Sequence, residues 1–178
     1  STFRGFTFME FFADDRVIVN PLRIRDEIIN EIECSMMLYY TGQSRESANI
    51  IKDQIHSAQS GDDKPLHAMH RVKQSAVEMK DALLKAEVKT MAEILGQSWR
   101  AKRDMAHSIS NRIIDEIYDR AMGAGALSAK ISGAGGGGFM MLFVEPTLRL
   151  DVNQALSDLG GSFYPFHFTR EGAQGWLV

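Results

Sequence analysis

A run of glycines, interrupted once by alanine, is the part of this sequence most suited to binding a ligand through its backbone. Five glycines fill the six positions 133–138, and apolar runs flank them on both sides. Ordering a glycine-rich backbone on folding costs more conformational entropy than ordering other residues. Such a run is therefore typical of a tight turn, of close packing, or of a row of N–H groups that face an anion. Taken alone, the run indicates a phosphate cradle, with Lys130 as the nearest cation.

The residues after the glycines exclude the commonest nucleotide-binding loops. The run fits G-x-G-x-x-G by letter, but a dinucleotide fold needs a helix directly afterwards, whereas residues 139–144 (FMMLFV) are typical of a strand. A Walker A loop needs Lys and then Ser or Thr, and Phe139 and Met140 stand there instead. The His-Arg-Asp and Asp-Phe-Gly segments of protein kinases are also missing downstream. A hairpin that uses its glycines only for packing stays open as an alternative, although it needs only one or two of them.

Hydrophobic periodicity predicts the elements that must position the loop. The strongest helical pattern begins with a predicted cap at Asp63 and an early helical proline at Pro65, and it continues for more than five turns. Further caps are predicted at Ser110 and at Thr90, where Thr90 and Glu93 match a capping box. Strands are predicted at 5–12, 17–19, 36–40, 126–132, 139–144 and 163–168. The order of elements from residue 36 onward predicts an α+β fold: a ferredoxin-like antiparallel sheet with several packed helices.

Composition narrows the classes of function. A net charge of -3 gives the chain no excess of positive charge with which to bind a nucleic-acid backbone. No apolar segment approaches the roughly 20 residues that span a bilayer. Cys34 is the only cysteine, which favours a reducing cytoplasm. His67 and His70 form one pair at helical spacing without a third ligand nearby, so no metal site is expected from the protein. The chain opens without Met and enters a strand pattern almost at once, so we expect a piece of a longer protein.

Several stretches together identify a family resemblance. Residues 125–139 (GALSAKISGAGGGGF) resemble the third signature motif of the GHMP kinase superfamily, whose members phosphorylate galactose, homoserine, mevalonate and related small molecules. The stretches that narrow the resemblance to its heptose-phosphate branch are 20–24 (NPLRI), 38–45 (LYYTGQSR), 98–103 (SWRAKR), 109–111 (ISN) and 168–172 (FTREG). The resemblance covers essentially the whole chain.

The resemblance implies an incomplete enzyme. Members of the superfamily hold substrate and ATP in a cleft between two domains, and residues 23–178 resemble the second of these domains. Residues 1–22 resemble the terminal hairpin of the first domain, whose serine-rich phosphate loop and catalytic aspartate have no counterpart in this chain. We therefore expect no catalytic residue here, inactivity of the chain alone, and Mg²⁺ held mainly by ATP and the missing domain.

The same resemblance implies which residues bind ligand. The residues expected against the phosphates of ATP are Ser132, Gly133, Ala134, Gly135, Gly136, Gly137, Gly138 and Lys130. Arg45, Trp99 and Lys102 are candidates for the sugar phosphate, because sugars stack on indole faces and cations neutralise phosphate. For Lys130 and Arg45 the competing interpretation is a solvated surface side chain, and for Trp99 it is the apolar stripe of its own helix.

Two functions of different classes remain in competition. The first is the C-terminal half of an ATP-dependent sugar kinase acting on a heptose phosphate, with galactose or another hexose as the alternative substrate. The second is a non-catalytic α+β ligand-binding or interaction module whose glycines serve packing only. The expected partners of the kinase are ATP, the sugar phosphate and the missing N-terminal domain, and loss of that domain exposes apolar surface through which a homodimer would form.

Overall fold

Four short antiparallel strands form the sheet on which most of the chain packs. The molecule is represented by a computed structural model, which describes residues 3–43, 46–173 and 175–176. The strands are β1 Thr7–Phe11, β2 Val17–Pro21, β3 Met36–Tyr40, β4 Ala126–Ile131, β5 Phe139–Val144 and β6 Ser162–Tyr164. The α-helices are α1 Asp26–Ser35, α2 Ser47–Gln59, α3 Asp63–Lys85, α4 Val88–Arg103, α5 Arg112–Gly123 and α6 Arg149–Leu156, with 3-10 turns at His107–Ile109 and Pro146–Leu148.

The sheet has the strand order β4-β5-β3-β6, and all its pairs are antiparallel. Counted along the chain, β3 is the first strand of this sheet. It lies between β5, the third, and β6, the fourth, as in the split β-α-β arrangement. The predicted α+β class, with a ferredoxin-like antiparallel sheet and several packed helices, is confirmed. The glycine run joins β4 to β5 at the sheet end where β3 finishes, because Tyr40 pairs with Phe139.

Each face of the sheet contributes to its own hydrophobic cluster. Ile131, Met140 and Tyr39 lie opposite one another across three strands, so their side chains share one face, and all are buried in the main core with α5 and α6. Phe143 belongs to the other face and is buried among residues of α1, α3 and α4. Helix α4 supplies residues to both clusters, which brings it beside the edge strand β4.

Three predicted helix caps are displaced. Asp62, not Asp63, caps α3 by accepting a hydrogen bond from the Lys64 N–H at 2.9 Å. Thr90 lies inside the first turn of α4, which begins at Val88 with no side-chain cap, so the capping-box prediction is wrong. Asn111, not Ser110, caps α5, and its side-chain oxygen accepts from the N–H groups of Ile113 and Ile114 at 3.0 and 3.1 Å. At α3 and α5 the adjacent polar residue caps the helix instead, whereas α4 begins without a side-chain cap.

The last strand is shorter than predicted. It ends at Tyr164, because Pro165 has no N–H to continue the ladder with β3. Phe168 instead leaves the sheet, and its N–H donates to the Glu33 carboxylate at 2.6 Å. Its ring lies 4.9 Å from the Phe6 ring, centroid to centroid, so the tail fastens the β1–β2 hairpin to α1.

The β1–β2 hairpin forms a separate two-stranded sheet with one uncovered face. Phe6 and Leu22 pack against the second cluster. On the opposite side, Met9, Phe11 and Val17 are exposed, and the Phe11 side chain reaches 73% exposure. A two-stranded sheet is marginal by itself, so this hairpin depends on packing. Among the described residues, no helix has the length and apolar character needed to cross a membrane.

Candidate functional site

The loop between β4 and β5, residues 132–138 and hereafter the glycine loop, is held in place through its carbonyl oxygens. Four separate elements donate hydrogen bonds to it. Thr41 donates from its N–H and its hydroxyl to Gly138 O at 2.9 and 3.0 Å, Gln54 of α2 to Ala134 O at 3.2 Å, Asn111 to Gly136 O at 3.2 Å, and Lys102 of α4 to Gly133 O. Because the carbonyls are fixed from outside, the peptide dipoles of the loop have fixed directions.

The N–H groups of the glycine loop are only partly used by the protein. Gly136 N–H donates to Ile109 O at 2.8 Å and Gly138 N–H to Gln43 O at 2.7 Å. In the part of the chain that the structure describes, the N–H groups of Gly133, Ala134, Gly135 and Gly137 have no acceptor. Successive free N–H groups in such a loop form a concavity that binds anions. A cavity of about 220 Å³ lies here, lined by the loop, Ser47 and Phe139.

The glycines serve two different purposes. A Cβ on Gly135 would lie 2.9 Å from Ile109 O, and one on Gly137 would lie 2.8 Å from Gln43 O, so these positions are glycine because backbone approaches them. Gly133 and Gly138 also have positive φ, at 77° and 87°, but a Cβ there would meet nothing within 4 Å. Close packing therefore accounts for part of the run, and open space beside Gly133 and Gly138 leaves room for a ligand.

Two lysines add positive charge beside the glycine loop. Lys102 is only 9% exposed, and burial together with the neighbouring charge of Lys130 lowers its pKa to about 8. Lys130 donates to the Ser98 hydroxyl at 2.7 Å, and burial lowers its pKa as well. Within residues 3–43, 46–173 and 175–176, neither ammonium group forms an ion pair with a carboxylate. A buried charge without a counter-ion is costly, so an anion bound here would relieve that cost.

The predicted site residues separate into three groups. Lys130, Lys102 and the glycine loop lie together. Trp99 is fully buried in the main core, which leaves no indole face for a sugar and agrees with the apolar-stripe interpretation of its helix. Arg45 lies outside the described residues. Sequence reasoning missed Gln54 and Asn111 as supports of the loop, although Asn111 is recognisable as a cap residue directly before the α5 pattern.

The site suits an anion better than a metal ion. The residues that line the cavity of the glycine loop include no carboxylate and no histidine. A search of the described ranges finds no group of three His, Cys, Asp or Glu side chains placed to hold a metal ion. Phosphate oxygens fit the free N–H groups and the nearby ammonium groups, whereas the carboxylates that Mg²⁺ sites in proteins use are missing from the lining of this cavity.

A larger cavity of about 900 Å³ lies beside β3 and α6. Its lining includes Glu33, Leu38, Arg149 and Tyr164. The Arg149 guanidinium donates to the carbonyl oxygens of Cys34 and Met36 at 2.9 and 2.7 Å, so it supplies hydrogen bonds to backbone at the start of β3.

Comparisons with known proteins agree with this geometry. The chain is 45% identical over its whole length to D-glycero-alpha-D-manno-heptose 7-phosphate kinase of Campylobacter jejuni, and it spans 52% of that protein. A crystal structure of a D-glycero-D-manno-heptose 1-phosphate kinase from Bacteroides thetaiotaomicron is 39% identical, with a TM-score of 0.69 over 98% of this chain and 45% of the other.

The fold also recurs at low sequence identity. Mevalonate kinase of L. major matches 95% of this chain and 50% of its own with a TM-score of 0.75 at 15% identity, which shows the shared fold alone. The chain thus spans about half the length of the two heptose-phosphate kinases to which it is similar. The family described as GHMP kinases C terminal matches residues 79–161, which contain both lysines and the whole glycine loop. Residues 79–161 thus belong to the family described as GHMP kinases C terminal.

Proposed function

We propose that this chain is the C-terminal half of an ATP-dependent sugar kinase that phosphorylates a heptose phosphate. One observation carries the phosphate part of the proposal: the loop has four N–H groups without an acceptor among the described residues, and its Gly133 carbonyl accepts from the ammonium of Lys102, which has Lys130 as a neighbouring charge and no carboxylate partner in those ranges. The names of the relatives at 45% and 39% identity support a heptose phosphate as the acceptor. An enzyme that uses ATP and a sugar phosphate of metabolism would work in the cytoplasm.

The glycine loop forms one wall of the reaction cleft in this proposal. The acceptor hydroxyl attacks the γ-phosphorus of ATP, the bond from that phosphorus to the β,γ-bridging oxygen breaks, and ADP leaves. Lys102, Lys130 and the free N–H groups stabilise the charge on the phosphoryl oxygens during this transfer. The proton of the acceptor passes to a base outside this chain, and Mg²⁺ bound to ATP shields the β- and γ-phosphates.

The domain boundary is also part of the proposal. The β1–β2 hairpin, within residues 1–22, belongs to the N-terminal domain, and residues 23–178 form the C-terminal domain. The uncovered apolar face of the hairpin supports this division, because such a face is normally buried against further strands or helices. The N-terminal domain would supply the loop that holds ATP and the catalytic base, which makes the chain alone inactive.

The proposal is tested by restoring the N-terminal half and measuring ADP release and the mass of the sugar product. We expect ATP-dependent phosphorylation of D-glycero-D-manno-heptose 7-phosphate. Lys130→Met should lower kcat/KM by about 100-fold or more, since it removes one of the positive charges to which this proposal assigns the stabilisation of the phosphoryl oxygens. Lys89→Met is the matched control, because the Lys89 side chain is 86% exposed and lies away from the loop. Equal effects of the two variants would contradict the role of Lys130.

Two results would favour other functions. Preference for galactose over the heptose phosphate would contradict the substrate while leaving the kinase class in place. The non-catalytic alternative is tested by titrating the chain with ATP, ADP and sugar phosphates while amide resonances are followed by NMR. Shifts at Gly133, Ala134, Gly135 and Gly137 support phosphate binding, whereas shifts confined to surface helices favour an interaction module.

A further inference from the structure

We propose that Tyr40, Phe139 and Tyr164 form a platform that binds the sugar ring of the acceptor; this inference rests on the proposed kinase function. We call these three residues the aromatic platform. Tyr40 ends β3, Phe139 begins β5 and Tyr164 ends β6, so three strands bring together residues that are far apart in the sequence. The ring centroids are 5.3 Å apart for Tyr40 and Phe139, 5.5 Å for Phe139 and Tyr164, and 6.4 Å for Tyr40 and Tyr164.

The aromatic platform is exposed and amphipathic. Phe139 is 37% and Tyr164 is 48% exposed, and Tyr40 is half-buried. Throughout the described residues, the hydroxyl groups of Tyr40 and Tyr164 have no hydrogen-bond partner. The adjacent Tyr39 shows the opposite case: its ring is buried and its hydroxyl donates to Leu156 O at 3.1 Å. The hydroxyl of the buried Tyr39 thus has hydrogen-bond partners, whereas the two tyrosines of the platform offer free hydroxyl groups beside apolar rings.

The aromatic platform is continuous with the glycine loop. Phe139 directly follows Gly138 and lines the cavity of the loop. Tyr40 directly precedes Thr41, whose N–H and hydroxyl both donate to Gly138 O. Tyr164, on the other side, lines the cavity of about 900 Å³ beside α6. A ligand with a phosphoryl group at the free N–H groups would therefore extend over the three rings.

The position of the platform selects the sugar over the adenine ring. In phosphoryl transfer the acceptor hydroxyl must approach the γ-phosphorus to roughly 3–3.5 Å. If the glycine loop holds the γ-phosphoryl group, the acceptor is the part of the reacting complex next to it. If the loop holds the phosphate of the acceptor itself, the sugar ring again comes next. Adenine lies at the far end of the triphosphate and ribose in both arrangements.

The chemistry of the platform also fits a sugar. A sugar ring presents C–H groups on its faces and hydroxyl groups around its rim, which match an aromatic ring flanked by free phenol hydroxyls. The three rings are tilted or perpendicular to one another, with interplanar angles of 53°, 85° and 85°, so they present edges and hydroxyls as well as a single face. A purine would be better served by a flat pair of parallel rings.

The test uses the full-length protein with both substrates and four variants. Tyr40→Phe and Tyr164→Phe each remove one hydroxyl, and Phe139→Leu removes the central ring while keeping an apolar side chain. We expect each to raise KM and the calorimetric Kd for heptose 7-phosphate by about 2- to 10-fold. KM for ATP should stay within about 2-fold. Tyr118→Phe is the matched control, because Tyr118 packs on the main core away from the platform.

Each result has a defined meaning. If the wild-type protein transfers phosphate to no sugar phosphate, the proposed function fails, and this inference with it. If the wild-type protein is active but KM for the sugar phosphate is unchanged in all three platform variants, the inference alone is overturned. A rise in KM for ATP instead would assign the platform to adenine. A loss of thermal stability without a change in either KM would mean that the platform is covered by the rest of the protein.

Discussion

Lys102 shows how one buried cation can tie stability and ligand binding to the same site. Its ammonium group donates to Gly133 O, lies beside Lys130 and is 9% exposed. Its pKa falls from an ordinary value of 10.5 to about 8 because burial and the neighbouring charge disfavour the protonated form. The folded protein therefore bears an unfavourable charge near neutral pH, which a bound anion would compensate.

The pKa of Lys102 predicts that wild-type protein becomes more stable relative to Lys102→Met as pH rises. Between pH 8 and 10.5 the unfolded state holds more protons than the folded state, so the free energy of unfolding increases with pH in this window. We expect the difference between wild type and Lys102→Met to change in favour of wild type by on the order of 1–3 kcal/mol from pH 7 to pH 10.5. Urea unfolding at several pH values measures it.

A control separates Lys102 from the other titrating groups. Lys89→Met removes a lysine whose side chain is 86% exposed, and its unfolding curves at the same pH values are the reference for those of Lys102→Met. A flat difference between Lys102→Met and wild type would mean that the pKa of Lys102 is not lowered in the folded protein.

The sequence does not show which aromatic side chains are buried and which are exposed. Trp99 was a candidate for sugar stacking and also belonged to an apolar stripe, and the structure buries it completely. Tyr40 and Tyr164 belong to strands whose exposed and buried faces alternate, so residue type alone cannot assign them. Whether an aromatic side chain is buried depends on which helices cover each face of the sheet, and that is a property of the tertiary structure.

At the scale of elements, the glycine loop depends on backbone from two other segments. Gly135→Ala would place a methyl group 2.9 Å from Ile109 O at a φ of 117°, where alanine is strained. We expect a loss of about 1–3 kcal/mol in the free energy of unfolding. Gly123→Ala is the matched control: Gly123 is the last residue of α5, and a Cβ there meets nothing within 4 Å. It should be neutral or stabilising by up to about 1 kcal/mol.

Chemical denaturation of both glycine variants gives the measurement. Equal stability of Gly135→Ala and wild type would mean that the loop can move away from Ile109, and the account of its fixed carbonyls would then be wrong. A large loss in Gly123→Ala would point to a general intolerance of alanine rather than to the contact with Ile109.

The elements themselves were largely predictable, and their ends were not. Periodicity identified both strands around the glycine loop and the long α3, because apolar spacing reports directly which side of an element is buried. The predicted caps at Thr90 and Ser110 were wrong for different reasons. Helix α4 begins two residues before Thr90 without a side-chain cap, whereas the Ser110 hydroxyl donates to the nearby Asp115 carboxylate at 2.7 Å, which leaves Asn111 to cap α5.

At the scale of the whole molecule, the free N–H groups of the glycine loop and the uncovered face of the hairpin are two places where the described residues leave contacts unmade. The fold and the family followed from the sequence because the glycine motif and the order of elements are local patterns. The hydrogen bonds from α2, α4, α5 and β3 that fix the loop join residues up to 97 positions apart, so spacing in the sequence does not reveal them. The exposed face of the hairpin and the free N–H groups of the loop could be found only from the structure, because both depend on which residues other elements cover.

The outer face of the hairpin predicts that the chain without its N-terminal domain self-associates. Met9, Phe11 and Val17 lie on this face, with Phe11 opposite Val17, and all three are exposed. Burying a side chain of this size contributes about 1.5–3 kcal/mol, so two of them are enough to favour dimers at moderate concentration. The double variant Phe11→Ser with Val17→Ser should raise the dissociation constant at least tenfold.

Light scattering over a wide concentration range measures this association. Leu84→Ser is the matched control, because Leu84 is 51% exposed but lies on α3, away from the hairpin. Restoring the N-terminal half should abolish the association through this face, since the proposed domain covers it. A monomer at all concentrations would contradict the prediction, and an equal effect of Leu84→Ser would show that association is not specific to the hairpin. A dimer that persists in the restored protein and resists the double variant would instead be built on another surface, so the hairpin would not be its interface.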